Sequence, residues 1–406
     1  MRARGLCLAA FALLAPAMGG CGTQNPAEAT GNQLAVYSSL PLQGPTAKAS
    51  QEVVNGERLA LSQAGGRAGS FRVGYVSLDD SDPRTGRLDP GVTAANAKIA
   101  AQDTSTIAYI GEYSSAATAV SLPLINAAGI LQVSPASPYV GLTSSLDAGQ
   151  YEPQRFYPTG RRSFGRLQPG DPAQAAAQVK LMQALGVRKV YVLDDQNPFV
   201  VPLAALVAAD AGRAGIAVAV HDSLPIALAG AFQGEVGKVT PSGAQAVFFA
   251  GGGSAGAISL WRALHRAKPN LLLLGSSALA TEAFTAAIGP AGERTYLTSP
   301  ELAAQDYPQS AARVLKLYRR RFGAEPGPNA LYGYEAMSVV LDAIRRAGAH
   351  GNNRQVVIDR FFATRDRDSV LGRYSIRANG ETTLPGYAVY RVQDGRPVFY
   401  RAFDVG

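Results

Sequence analysis

Thiols are nearly absent from this chain of 406 residues. Cys7 and Cys21 are the only cysteines, both close to the start, so the rest holds no disulfide and no thiol nucleophile. Histidine is almost as scarce. His221, His265 and His350 stand far apart, and none sits in an H-E-x-x-H or comparable ligand spacing. No Walker A loop occurs. Charged residues make up only 17% against 47% hydrophobic, which excludes a disordered chain and allows two domains with sizeable cores. The net charge is +8, yet Lys and Arg are scattered. Their densest run, Arg319–Arg320–Arg321, closes a predicted helix, where cations offset the dipole. Aromatic residues do not interleave with basic ones, so a nucleic-acid face is excluded.

What is present begins with a leader. Arg2 and Arg4 precede an apolar run from Leu6 to Met18, followed by Met18–Gly19–Gly20–Cys21. A charged start, a short apolar stretch and small residues before a cleavage point make a secretory signal over 1–20. The run is too short to span a bilayer. Its end resembles a lipobox, with Met18 where Leu is usual, which makes Cys21 the expected lipidation site. Residues 21–33 read as a flexible tether.

Beyond the tether, strand-like and helix-like segments alternate. Leu34–Ser38, Phe71–Leu78, Ile107–Ile110 and Ile130–Ser134 read as strands, separated by helical spacing over Ala47–Ala64, Gly91–Gln102 and Ala116–Ala128. The second stretch repeats the theme. Lys189–Leu193, Ala217–Val220, Ala246–Ala250 and Leu271–Leu274 are its strands, and the chain ends in a hairpin around Gln393–Asp394–Gly395–Arg396. This alternation predicts an α/β fold of parallel sheets covered on both faces. About a dozen strands exceed one comfortable open sheet and divide into two lobes. Leu142–Arg162 reads as a polar loop between them.

Ligands of such sheets sit outside the carboxyl ends of the strands. Two turns lie there, Ser114–Ser115–Ala116–Ala117 and Ser134–Pro135–Ala136–Ser137, both rich in hydroxyls and small residues. Asp79–Asp80 reads as the cap of a turn and the next helix rather than as acid–base machinery. Gly251–Gly256 matches G-x-G-x-x-G literally. A dinucleotide site also needs an acid at the end of the following strand. That strand ends in Gly275–Ser276–Ser277, so the glycines read as a turn allowing close approach.

The leader, "PLQGP" (Pro41–Pro45), "DD" at Asp79–Asp80, "SSAATA" with "AGILQVSPAS", "VFFAGGG", "GYEAMSVVLDAIRRAGA" and "GYAVYRVQDGRPV" together resemble the branched-chain amino-acid-binding proteins of ABC importers. These are type I periplasmic binding proteins, and the likeness runs from about Leu34 to the end. It implies two Rossmann-like lobes joined by three crossover strands, a cleft between them, and closure by a hinge. The crossings are expected near Phe164–Gln168, Tyr296–Ser299 and Gly372–Ser375. The lobes would comprise 34–165 with 298–372, and 166–297 with 373–406. The likeness further implies a monomeric solute receptor on the outer face of the cytoplasmic membrane, handing its ligand to permease subunits. It implies no enzyme activity, cofactor, metal or nucleic-acid partner. A ligand sensor on the same fold and a nucleotide-dependent enzyme using Gly251–Gly256 are the alternatives.

Carried over residue by residue, the resemblance puts Ser115 on the ligand carboxylate and Ala136 and Ser137 on the carboxylate and ammonium. Phe199 and Tyr334 would line the pocket. Four positions depart from the pattern. Pro138 replaces a Thr, Gly252 and Ala49 replace aromatics, and Ser277 stands where an Asp or Glu would pair with the ammonium. A buried ammonium without a counter-charge costs several kcal/mol. Either the ligand is a bulkier carboxylate or amide-like molecule without a free ammonium, or another acid such as Glu301 reaches the amine.

Overall fold

The computed structural model describes residues 27–31, 33–145, 149–226 and 231–406. Cys21 and the leader lie outside the described residues. The first stretch runs β1 (Leu34–Leu40), α1 (Ala47–Gln63), β2 (Arg67–Ala68), β3 (Phe71–Asp79), α2 (Pro90–Gln102) and β4 (Thr106–Ile110). It continues through α3 (Ser115–Ala127), β5 (Leu131–Ser134) and β6 (Phe164–Arg166). Next come α4 (Asp171–Ala184), β7 (Lys189–Asp194), α5 (Val201–Arg213), β8 (Ala217–Ser223), α6 (Ala231–Val239) and β9 (Ala246–Ala250). Then follow α7 (Ala255–Ala267), β10 (Leu272–Gly275), α8 (Glu282–Ala287) and β11 (Thr295–Ser299). The last stretch holds α9 (Gln309–Phe322), α10 (Asn329–Arg346), α11 (Arg354–Phe362), β12 (Arg367–Asp368), β13 (Arg373–Tyr374), β14 (Gly386–Gln393) and β15 (Arg396–Asp404).

Two sheets carry the architecture, in the orders β2-β3-β1-β4-β5-β6 and β15-β14-β11-β10-β9-β7-β8. All pairs in the first are parallel except β2 with β3. In the second, β8 to β11 are parallel and the terminal hairpin adds two antiparallel strands. All seven residues of β1 and all five of β4 and β9 are buried, as strands covered by helices on both faces must be. Asp394 and Gly395 have φ of 47° and 71°, the left-handed pair that closes a two-residue hairpin. The two-lobed α/β class expected from alternation is what the chain adopts.

The chain passes between the sheets three times. It leaves the first sheet after Arg166 and enters α4 at Asp171. It leaves the second after Ser299 and returns through α9, whose Ala311 and Val314 join the first core. The third passage falls later than Gly372–Ser375. Tyr374, Ile376 and Leu384, which the lobe boundary at 373 places in the second lobe, pack in the first core, and the chain joins the second sheet only at Gly386. Leu142–Arg162 also differs from an open polar loop. Leu142, Phe156 and Tyr157 are buried beside Phe164, and the Tyr157 hydroxyl donates to the Leu142 carbonyl at 2.8 Å. Sparse apolar anchors among polar residues hide this packing from composition.

Within the first lobe α1 and α10 touch backbone to backbone. A Cβ at Gly56 would lie 2.2 Å from the Ala330 carbonyl oxygen, and one at Gly333 would lie 2.1 Å from that of Val53. Only glycine permits this approach. No helix among the described residues is long and apolar enough to cross a membrane.

Candidate functional site

The first turn follows β4. Ser114 caps α3, its hydroxyl accepting the Ala117 N–H at 3.2 Å. That places Ser115 and Ala116 in the first turn of α3, where backbone N–H groups have no acceptor within the helix and the dipole favours an anion. Ser115 is 8% exposed, and its Oγ accepts the Tyr139 N–H at 3.1 Å. As the acceptor in that bond, the hydroxyl keeps its own proton to donate.

The second turn is built differently from the expectation. Ser134 Oγ accepts the N–H groups of Ala136 and Ser137 at 3.1 and 3.0 Å. Ser137 is fully buried, and its hydroxyl meets Thr118 Oγ1 at 2.7 Å and the Glu112 carbonyl at 3.1 Å. The Ala136 and Ser137 amides and the Ser137 hydroxyl are therefore engaged inside the lobe. They brace the turn beside Ser115.

Beneath both turns lies a buried acid pair. Asp80 and Glu112 are each 0% exposed. Tyr109 donates to Glu112 Oε1 at 2.6 Å, whereas Glu112 Oε2 and both Asp80 oxygens meet no donor. Burial and the nearby Asp79 charge push Asp80 up to about 6 with the Glu112 carboxyl opposing, and burial with the Asp80 charge raises Glu112 well above the usual carboxylate range. Asp79 does hold a turn, accepting from Leu42 N–H and Ser81 N–H, both at 2.9 Å. The next helix is capped instead by Asp89, which accepts from Gly91 and Val92.

On the other side, Phe199 meets Tyr139 edge to face with ring centroids 5.2 Å apart, which brings it beside the Ser115 turn. Gly252 donates its N–H to Asp195 Oδ2 at 3.1 Å, and a Cβ built on it would meet nothing within 4 Å. The place of a bulky side chain is open there. Ser277 donates to Gln174 Oε1 at 3.1 Å, the same oxygen that accepts from the Tyr387 hydroxyl at 3.0 Å. Ser254 caps α7 by accepting from Ala257, so the Gly-rich turn serves a helix start.

Tyr334 is not gathered with these residues. It lines a separate groove of about 350 Å³ with Glu335, Ser338, Arg367 and Arg373. Asn329, at the start of the same helix, is the residue that reaches the first turn, where the Tyr113 hydroxyl donates to its Oδ1 at 3.3 Å. Five residues of α-helix turn the side chain by about 140°, which separates the two positions. The structure adds two acids that composition does not single out as a pair. Burial raises Glu301 to about 7, with the Glu52 charge adding to it and Asn329 opposing it, and both carboxyls bear on Tyr113. Glu52 is raised by burial as well. The Glu301 carbonyl accepts from Tyr390 at 2.9 Å, which ties this corner to the second sheet.

The family model for periplasmic binding proteins matches residues 38–397. The chain belongs to the periplasmic binding protein family. Its fold is that of the type I members. Leu/Ile/Val-binding protein homolog 1 of Brucella suis is 25% identical over 360 residues, covering 88% of this chain and 89% of that protein. The leucine-binding protein LivK of Thermotoga maritima superposes with a TM-score of 0.74 at 21% identity, over 91% of this chain and 99% of that one. A solute-binding protein of R. palustris, solved with benzoate, gives 0.70 at 16% identity, over 91% and 96%. Periplasmic binding proteins of this family are extracytoplasmic.

Proposed function

We propose that this chain is the lipid-anchored solute receptor of an ABC importer, held to the membrane through Cys21, and that its lobes close by a hinge on an amino acid. It performs no chemistry on its ligand. The ligand carboxylate lies at the start of α3, against the Ser115 hydroxyl and the N–H groups of Ser115 and Ala116. The ammonium faces Glu301 with Glu52, which takes the part that Ser277 cannot. The observation that carries this reading is Ser115: it heads α3 and accepts from Tyr139, which leaves a proton and a helix dipole for an anion. A charge-assisted hydrogen bond of this kind is among the stronger single contacts available to a carboxylate.

The open place at Gly252 favours one further reading, a bulkier carboxylate without an amine. The benzoate-bound relative is consistent with that chemistry. Calorimetric titration separates the two. Leucine, isoleucine or valine is expected to bind at micromolar Kd or tighter. Ser115→Ala should weaken binding by about tenfold or more, the scale of one lost hydrogen bond to a charged group, and Glu301→Gln should weaken it similarly. Undiminished affinity in Ser115→Ala overturns the site. Benzoate binding that is indifferent to Glu301→Gln, with no binding of the three amino acids, replaces the first reading with the second.

A further inference from the structure

The segment from Ser137 to Val140 crosses directly behind Ser115, and all its backbone polar groups are engaged. Ser137 donates its N–H to Ser134 Oγ, and its carbonyl accepts from Arg166 Nη1. The Pro138 carbonyl accepts the Asp171 N–H at 2.9 Å. Tyr139 donates its N–H to Ser115 Oγ at 3.1 Å, and its carbonyl accepts from the same Arg166 Nη1 at 2.9 Å. Val140 donates its N–H to Asp171 Oδ2 at 3.1 Å, and its carbonyl accepts from Thr143 and Ser144. Pro138 has no N–H to place, so no backbone donor of the segment is left over.

Two residues dominate that account, and they flank the first passage between the lobes. Arg166 ends β6 in the first sheet, and Asp171 opens α4. Arg166 is fully buried. Its second terminal nitrogen donates to Thr143 Oγ1 at 2.6 Å and to Glu381 Oε1 at 2.7 Å. Glu381 lies just before the third passage, where the Arg166 backbone N–H also donates to the Gly380 carbonyl at 3.0 Å. One guanidinium thus joins the turn behind Ser115 to two of the three passages. A planar fork meets four acceptors in this way, and a point-charge ammonium does not.

We infer that Arg166 is the positioning residue of this site: from the hinge it fixes the carbonyls of Ser137 and Tyr139, and so aims the Ser115 hydroxyl. Rotation of α4 carries Asp171, which pulls on Pro138 and Val140, while Arg166 resists. Lobe rotation and the aim of Ser115 become one motion. This inference rests on the proposed reading in which Ser115 meets the ligand and the lobes close upon it.

The test needs no ligand. Hydrogen exchange is read at residue resolution by mass spectrometry on the full chain and on Arg166→Lys and Glu381→Gln. In Arg166→Lys the Tyr139 and Val140 amides should exchange at least about tenfold faster, while Val190–Leu193 in β7 keep their rates. Glu381→Gln, which leaves the guanidinium in place, should accelerate the same two amides by a smaller factor. It also decides the matter if Arg166→Lys does not fold. Unchanged exchange at Tyr139 and Val140, or equal acceleration in β7, overturns the positioning role. Failure of leucine, isoleucine and valine to bind the parent protein would remove the ligand reading alone, and the exchange result would still decide what Arg166 does.

Discussion

The turns at the carboxyl ends of the first sheet and those of the second solve opposite problems. In the first sheet Ser134, Ser137, Thr118 and Glu112 bond one another across 112–137, while Ser115 keeps a proton to offer. In the second, Gly252 donates its N–H to Asp195, and the turn opens onto space that a Cβ would not fill. Rigidity on one side and room on the other suits a receptor whose first contact is fixed and whose ligand shape is set elsewhere. The lesson is that hydroxyl-rich composition marks a turn without saying which hydroxyls face outward.

Three experiments break or sharpen this contrast. The largest effect belongs to the acid pair under the rigid side. Asp80 has a raised folded-state pKa of about 6, so the folded state binds its proton more tightly than the unfolded chain does. Its contribution is fully present below the unfolded pKa near 4 and is lost as pH rises toward 6. The stability difference between Asp80→Asn and the parent should therefore shift by about 2 kcal/mol in favour of the variant between pH 4 and pH 6. Urea unfolding at both pH values measures it, and a constant difference would show that burial does not raise the Asp80 carboxyl. Next is Ser137→Ala, which leaves the buried Glu112 carbonyl and Thr118 hydroxyl short of a partner. It should cost about 1–2 kcal/mol of stability and leave leucine binding unchanged, whereas Ser115→Ala, which strips the Tyr139 N–H of its acceptor, should cost a similar amount and also weaken leucine binding about tenfold. Equal losses of affinity in the two variants would erase the distinction between bracing and binding. The smallest effect is on the open side. Gly252→Tyr should leave the unfolding midpoint within about 0.5 kcal/mol of the parent, because the new ring enters unoccupied space, while it narrows the range of ligand sizes bound.

The fold was legible because parallel strands announce themselves as buried apolar runs and helices by their period. β1, β4 and β9 needed no tertiary information. Ser115 was legible for a similar reason, since a hydroxyl just after a strand and at a helix start has a direction set by local geometry. Ser137 was not. Its hydroxyl turns to Glu112, 25 residues back, and to Thr118, 19 residues back, and nothing local encodes either contact. Tyr334 stood out as an aromatic, but the face of α10 that reaches Tyr113 is the one bearing Asn329. Glu301 could be named only as an acid in want of a role, because its neighbour Glu52 comes from the far end of the chain. Arg166 closes a three-residue strand and reads as an ordinary strand end until the third passage is folded beside it.

The glycine contact between α1 and α10 has a mechanical result. Two helices whose backbones touch at Gly56 and Gly333 interlock like cogs without clearance, so neither slides along the other when the molecule flexes. Under the proposed hinge closure the first lobe would be the stator. Torque from the other lobe would be delivered to the three passages and to the guanidinium braced between two of them, so that the bearing is made of a few residues rather than of the bulk.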